Sequence, residues 1–248
     1  MDVSAGSITF RVECAPVTEL DLRPLALVTG ASRGIGAAVA RALAPGHDLL
    51  LGGRDTEALQ ALAAELPGAR PWPVELTDTA ALAEAAGGVE RLDVLVHSAG
   101  MSALGTIAET PVATWRRQFE VNVVAVAELT RLLLPALRAA RGRVVLLNAG
   151  VGLNALPGWA SYAASKFALR AFADALRAQE GPNGLRVTSV HPGRVDTEMQ
   201  RSVVAQEGGE YRAETYLRPE SVAGAVLLAV TAPDDAALTE LVLRPAPR

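Results

Sequence analysis

Cysteine is almost missing from this chain: Cys14 is the only one in 248 residues, so no intramolecular disulfide framework can brace the fold. Histidine is nearly as scarce. His47, His97 and His191 are scattered, form no metal-ligand spacing, and read as structural residues. No segment is long and uncharged enough to span a bilayer. The first twenty residues, MDVSAGSITFRVECAPVTEL, have neither a basic start nor a continuous apolar run, so they do not read as a signal peptide. An excess of positive charge is also lacking. With 23 Lys and Arg against 27 Asp and Glu, the net charge of -4 excludes nucleic-acid or anionic-membrane binding through bulk charge, and leaves room for a local pocket that takes a small phosphate. The single cysteine and the lack of a Cys/His cluster favour a reducing cytoplasm as the expected location.

What is present is apolar. Half of the residues are hydrophobic, enough at this length to bury the core of one α/β domain. After an irregular N-terminal extension, residues 1–23, short apolar runs alternate with Ala/Leu-rich helical stretches through 24–248. LALVTG, HDLLLGG, ARPWPVEL, LDVLVHSAG, GRVVLLNAG, GLRVTSVHPG and ALTELVLRP read as seven strands. Asp55 is placed to cap the second helix, and ATWRRQFEVNVVAVAELTRLLLPALRAA reads as one long helix. Right-handed crossovers would wind these units into a doubly wound parallel sheet with helices on both faces. The polar segment 198–219, just after a strand's carboxyl end, is either a mobile lid or an irregular surface connection.

TGASRGIG, Thr29 to Gly36, joins the first strand to the first helix. Gly30, Gly34 and Gly36 permit a tight turn and close approach of a pyrophosphate to the helix N-terminus. Cofactor choice is expected at the end of the second strand, where an acid would bind the ribose 2′-hydroxyl of NAD. That position reads Gly53-Arg54. Arg54, with Arg33 from the glycine loop, could fork onto a 2′-phosphate, which predicts NADP(H) over NAD(H); the plainer reading makes both solvated surface charges.

Tyr162 and Lys166 are four apart on the helical stretch from about Trp159 to Gln179 and share a face. A nearby ammonium would lower the phenol's pKa and fit Tyr162 for general acid/base work. Taken with TGASRGIG, with HSAG at 97–100, Asn122 in FEVN, YAASK at 162–166 and HPGRVDT at 191–197, the chain from Leu25 to Pro245 resembles the short-chain dehydrogenase/reductase family. The resemblance implies a single-domain Rossmann-like fold and hydride transfer between a nicotinamide and a ketone or secondary-alcohol carbon. It implies that Tyr162 exchanges the proton, Lys166 holds the nicotinamide ribose and tunes the phenol, and Asn122 anchors a water in the relay. Gly193 and Thr197, flanked by Pro192 and Val195, would meet the nicotinamide end, and Ala99 and Gly100 the ribose. Ser32 and Ile35 in the glycine loop, Ser98, and Leu76 beside Glu75 complete the implied cofactor contacts. The family also implies a homodimer or homotetramer built through the helices that carry Asn122 and Tyr162.

Three departures from the family pattern stand out. His97-Ser98-Ala99-Gly100 replaces Asn-Asn-Ala-Gly, so an amide that braces the central strands is absent, with Ser98 a partial substitute. Glu75 stands where an Asp commonly meets the adenine amino group. Thirteen residues before Tyr162, where the family has a Ser or Thr that hydrogen-bonds the reacting oxygen, stands Ala149. A methyl donates no hydrogen bond. Asn148 or Ser161 could supply that bond, the chain could be an engineered serine-to-alanine variant, or it could be naturally slow. The rival functions are accordingly a cofactor-binding protein with little turnover, and an enzyme using bound nicotinamide for isomerisation or dehydration. Trp159 either lines a substrate pocket or serves packing.

Overall fold

Strand residues here alternate between two cores, which is what a parallel sheet covered on both faces requires. In the computed structural model, which describes residues 23–246, the strands are β1 Leu25–Thr29, β2 Asp48–Gly53, β3 Ala69–Pro73, β4 Val94–His97, β5 Arg143–Leu147, β6 Arg186–Pro192 and β7 Glu240–Leu243. The N-terminal extension through residue 22, with Cys14, lies outside the described residues. All pairings are parallel, in the order β3-β2-β1-β4-β5-β6-β7. Pro71 and Pro73 cannot donate to a ladder, which suits β3 to the edge it occupies. Chain order reverses between β1 and β4, so a crevice opens there at the carboxyl ends of the strands.

Ala26, Val28, Leu49, Leu51, Val94 and Val96 point to one core, shared with α1 Gly34–Leu43, α2 Thr56–Glu65 and α8 Pro219–Thr231. Leu27, Leu50, Leu95, Val144 and Leu146 point to the other, shared with α3 Thr79–Gly87, α5 Ala125–Ala140 and α6 Ala160–Glu180. Asp55 caps α2 as expected, its carboxylate accepting from Ala58 N–H at 3.1 Å. Among the described residues no helix is long and apolar enough to cross a membrane.

Two expectations need correction. The long helix is not one regular helix: α4 Val112–Phe119 passes through a π-helical turn, Glu120–Val124, before α5 begins. Apolar spacing does not register a π turn, because one extra residue shifts the helical face without changing its composition. The segment 198–219 is also more regular than its polarity suggested. Thr197 caps α7 Glu198–Gln206 by accepting from Gln200 N–H at 3.2 Å, and Val203 and Val204 on that helix are buried. Beyond it, Leu217 bridges Val195 and a 3-10 turn covers Ala213–Thr215.

Candidate active site

The crevice is built first from backbone. Gly30 adopts φ +66°, and a Cβ there would lie 2.9 Å from the nitrogen and Cα of Ala99. A Cβ at Gly36 would lie 2.1 Å from the carbonyl oxygen of Gly30. The chain can close this turn over α1 only with bare backbone, and Arg33, at the N-cap, caps no N–H with its side chain. The first-turn amides of α1 therefore face the crevice, an arrangement that suits a pyrophosphate. Gly30, Ser32, Arg33, Gly34, Ile35, Gly36, Arg54, Glu75, Leu76, Ser98, Ala99, Gly100 and Thr197 all line one cavity of about 600 Å³.

The brace between the central strands differs from expectation. Thr29, at the end of β1, accepts from the main-chain N–H groups of Ser98 and Ala99, both at 3.1 Å. His97 is buried against the Thr130 hydroxyl at 2.9 Å, and burial drives its pKa down to about 3, so it stays neutral. Ser98 thus takes part through its backbone, and Thr29 does the work expected of its side chain. At the cavity rim Arg33 meets Glu198 at 3.1 Å and Arg54 meets Glu75 at 3.3 Å. Partial burial alone would raise the Glu75 pKa, but hydrogen bonds from Thr77 and Arg54 outweigh it and hold the carboxyl below its usual range.

A second cavity of about 350 Å³ shares Ile35, Ser98, Gly100 and Thr197 with the first and is lined by Ala149, Tyr162, Lys166, Pro192, Gly193 and Val195. Tyr162 and Lys166 project from one face of α6, are 8% and 4% exposed, and place the ammonium 5.9 Å from the phenol ring. Lys166 Nζ donates to Leu147 O at 2.9 Å and faces Gly100, where a Cβ would lie 3.8 Å away. Asn122 lines neither cavity but supports both: its Oδ1 accepts from Met101 N–H at 2.9 Å, and its Nδ2 donates to Met101 O and Ser165 Oγ, both at 3.0 Å. It sits within the π turn.

Ala149 follows β5 with extended backbone and packs beside Tyr162 and Val151. Asn148 donates to Lys166 O at 3.1 Å and accepts from Ala149 N–H at 2.9 Å. Ser161 is buried, accepts from Gln118 Nε2 at 2.5 Å, and is not among the residues of the second cavity. Trp159 lines that cavity and packs 6.0 Å from the Tyr162 ring.

This geometry agrees with comparisons to known proteins. The family described as short chain dehydrogenase matches residues 24–208. The chain belongs to the short chain dehydrogenase family. This short chain dehydrogenase is 35% identical to dehydrogenase/reductase SDR family member 7B of Xenopus laevis, over 82% of this chain and 70% of that protein. It is 32% identical to glycine betaine reductase ATRR of Emericella nidulans, covering 93% of this chain but spanning only 20% of that protein's length. Its fold superposes with a TM-score of 0.82 on an alcohol dehydrogenase of the archaeon Thermococcus sibiricus complexed with 5-hydroxy-NADP, at 28% identity, covering 91% of this chain and 99% of that one.

Several site residues of this dehydrogenase escaped sequence reasoning. Met101 and Met199 line both cavities, and Arg244, from beyond β7, reaches the second. Motif spacing does not mark them: Met101 and Arg244 lie in the loops after β4 and β7, and Met199 rides on α7. The electrostatics of the pair also differ from expectation. Burial pushes the Tyr162 phenol above its ordinary pKa, not below it, and the ammonium 5.9 Å away does not overcome that burial.

Burial likewise pushes Lys166 down to about 8 from 10.5. Between those values the unfolded chain holds a proton that the folded chain has released, so stability rises with pH. Relative to a Lys166→Met variant, the cofactor-free protein should gain about 1.5 kcal/mol between about pH 8 and pH 9.5 in urea unfolding. Parallel curves for the two proteins across that window would show that Lys166 is not desolvated.

Proposed function

We propose that this short chain dehydrogenase is an NADP(H)-dependent oxidoreductase that moves a hydride between the nicotinamide and a ketone or secondary-alcohol carbon, with Tyr162 as general acid/base. The observation that carries the reading is the convergence of buried Tyr162 and Lys166 where the glycine-lined cavity meets the second one. The cradle at Gly30 and Gly36 fits a dinucleotide pyrophosphate, since side chains there would fill it. When bound, the nicotinamide supplies or accepts the hydride. Tyr162, protonated in its buried setting, gives its proton to the substrate oxygen in the reducing direction. Lys166 faces Gly100, beside which the ribose would lie. Asn122, its amide committed to Met101 and Ser165, is the residue assigned to the relay water.

The cofactor is NADPH in preference to NADH. The end of β2 reads Gly53-Arg54, the neighbouring Asp55 is spent capping α2, and Arg33 and Arg54, 65% and 68% exposed, rim the cavity. Their ion pairs with Glu198 and Glu75 are exposed and weak, so a phosphate dianion displaces those carboxylates. The bound nucleotide of the Thermococcus sibiricus enzyme, 5-hydroxy-NADP, supports this choice. Replacing both arginines by alanine should weaken NADPH binding about 10- to 100-fold and leave the NADH Kd within about threefold. Equal or tighter NADH binding by the wild type would end the assignment.

Stopped-flow oxidation of bound NADPH against a panel of ketones tests the reaction itself. A second reading, a cofactor-binding protein with little turnover, is supported by Ala149 together with the commitment of Asn148 and Ser161 elsewhere. Tight NADPH binding with no hydride transfer to any ketone would select it.

A further inference from the structure

The walls of the cavity beside Tyr162 carry three cations, Lys166, Arg194 and Arg244, and no Asp or Glu. Arg194 is already neutralised. It forks onto Glu207 at 2.8 and 2.6 Å, with its guanidinium 5.8 Å from the Trp159 ring. Lys166 is buried and tied to Leu147 O at 2.9 Å. Arg244 differs from both. Among the described residues it has no carboxylate partner, and only its Nη1 is engaged, in long bonds to His191 O at 3.3 Å and Leu243 O at 3.2 Å.

Gly150 makes room for this guanidinium. A Cβ at Gly150 would lie 3.1 Å from Nη1, 3.3 Å from Cζ and 3.4 Å from Nη2 of Arg244. On the other side, a Cβ at Gly193 would lie 3.7 Å from the Arg244 Cδ. The side chain therefore spans the loops that follow β5 and β6, next to Ala149. Gln200, on α7, also lines the cavity, but its unpartnered amide nitrogen is itself covered. The remaining walls include Val151, Leu156, Trp159, Met199 and Val203.

A cavity with no acid and one uncompensated planar cation, its Nη2 unengaged, selects an anion, and a guanidinium fork matches a carboxylate. Resting on the reductase reading above, we propose that the substrate is a 2-oxo or 3-oxo acid whose carboxylate is held by Arg244. Contact with Gly150, the neighbour of Ala149, keeps the carboxylate close to the reacting oxygen, and the apolar walls take the rest of the molecule. The keto carbon gains the hydride of NADPH and its oxygen gains the Tyr162 proton, giving NADP and the hydroxy acid. The carboxylate leaves unchanged.

Acids and their uncharged esters separate these roles. With the NADPH complex, kcat/KM is measured for acetoacetate against methyl acetoacetate and for phenylpyruvate against methyl phenylpyruvate. At least one acid should exceed its ester by about 30- to 100-fold, the size of a charge-assisted contact. Arg244→Gln should bring that ratio near one, with Arg244→Lys between them. A ratio of one or less in the wild type, or a ratio that survives Arg244→Gln, overturns the carboxylate site. Should Arg244→Gln fail to fold, the wild-type ratio and Arg244→Lys decide the matter. A turnover-independent reading comes from phenylacetate, a carboxylate without a ketone, titrated into the NADPH complex by nucleotide fluorescence. Its Kd should rise about 30-fold in Arg244→Gln. If that rise is seen but no carbonyl is reduced, the carboxylate site stands and the reductase reading fails. If ketones are reduced but phenylacetate binds both proteins equally, the reductase reading stands and the carboxylate site is overturned.

Discussion

Replacing Tyr162 by phenylalanine is expected to lower kcat for ketone reduction by roughly 10³-fold while changing the NADPH Kd by less than about threefold. The substitution removes one oxygen from a ring that is 8% exposed and packed against Trp159 and Ala163, so the wall of the cavity is kept. What disappears is the proton. Hydride arrival makes an alkoxide at the substrate oxygen, and the described cavity offers no comparable acid in its place. Lys166 is held by Leu147 O, and Asn148 is spent on Lys166 O and Ala149 N–H. Burial keeps the Tyr162 phenol protonated well past neutral pH, which readies it to give a proton in the reducing direction. Single-turnover oxidation of bound NADPH with a ketone measures the effect. A phenylalanine variant within tenfold of the wild type would move the general acid to another group.

The fold was legible because each strand carries its own signal. Apolar runs such as Leu49, Leu50 and Leu51 are buried on both sides, and turn residues end them. The failures came where tertiary contacts, not local pattern, decide. The π turn at Glu120–Val124 leaves the hydrophobic composition of its helix unchanged, so periodicity passed over it. Helix α7 was hidden by its polar majority. Of its apolar residues only Val203 and Val204 are buried, and two apolar positions make no periodic stripe.

The site was legible in proportion to how much of it is local. Gly30, Gly34 and Gly36 form one turn, and Tyr162 and Lys166 share one helix face, so spacing alone places each group. Arg244 is distant from every motif in sequence and reaches the cavity only because β7 ends beside β6. In the sequence Thr29 marks only the start of the glycine loop. Its hydroxyl role depends on β4 lying next to β1, a fact of strand order and not of sequence neighbourhood. The pKa of Tyr162 could not be read either, since a phenol near an ammonium and a phenol under full burial look alike in a linear string.

The substitution Ala149→Ser should raise kcat by about 10²-fold. The backbone there is extended, with φ −159° and ψ 161°, and accepts serine without strain. Ala149 lines the cavity shared by Tyr162 and Lys166, so a hydroxyl on its Cβ enters the space where the substrate oxygen must lie. Neither neighbouring candidate now fills that role, because Asn148 is tied to backbone and Ser161 faces Gln118 outside the cavity. The new bond strengthens as negative charge builds on the oxygen, so the gain belongs in kcat more than in KM. It should also be the same for an oxo acid and for its ester. Arg244 discriminates between those two substrates, whereas a serine at 149 acts on the carbonyl they share. A gain confined to the acid would place the serine at the carboxylate, and no gain at all would mean that another donor already reaches the reacting oxygen.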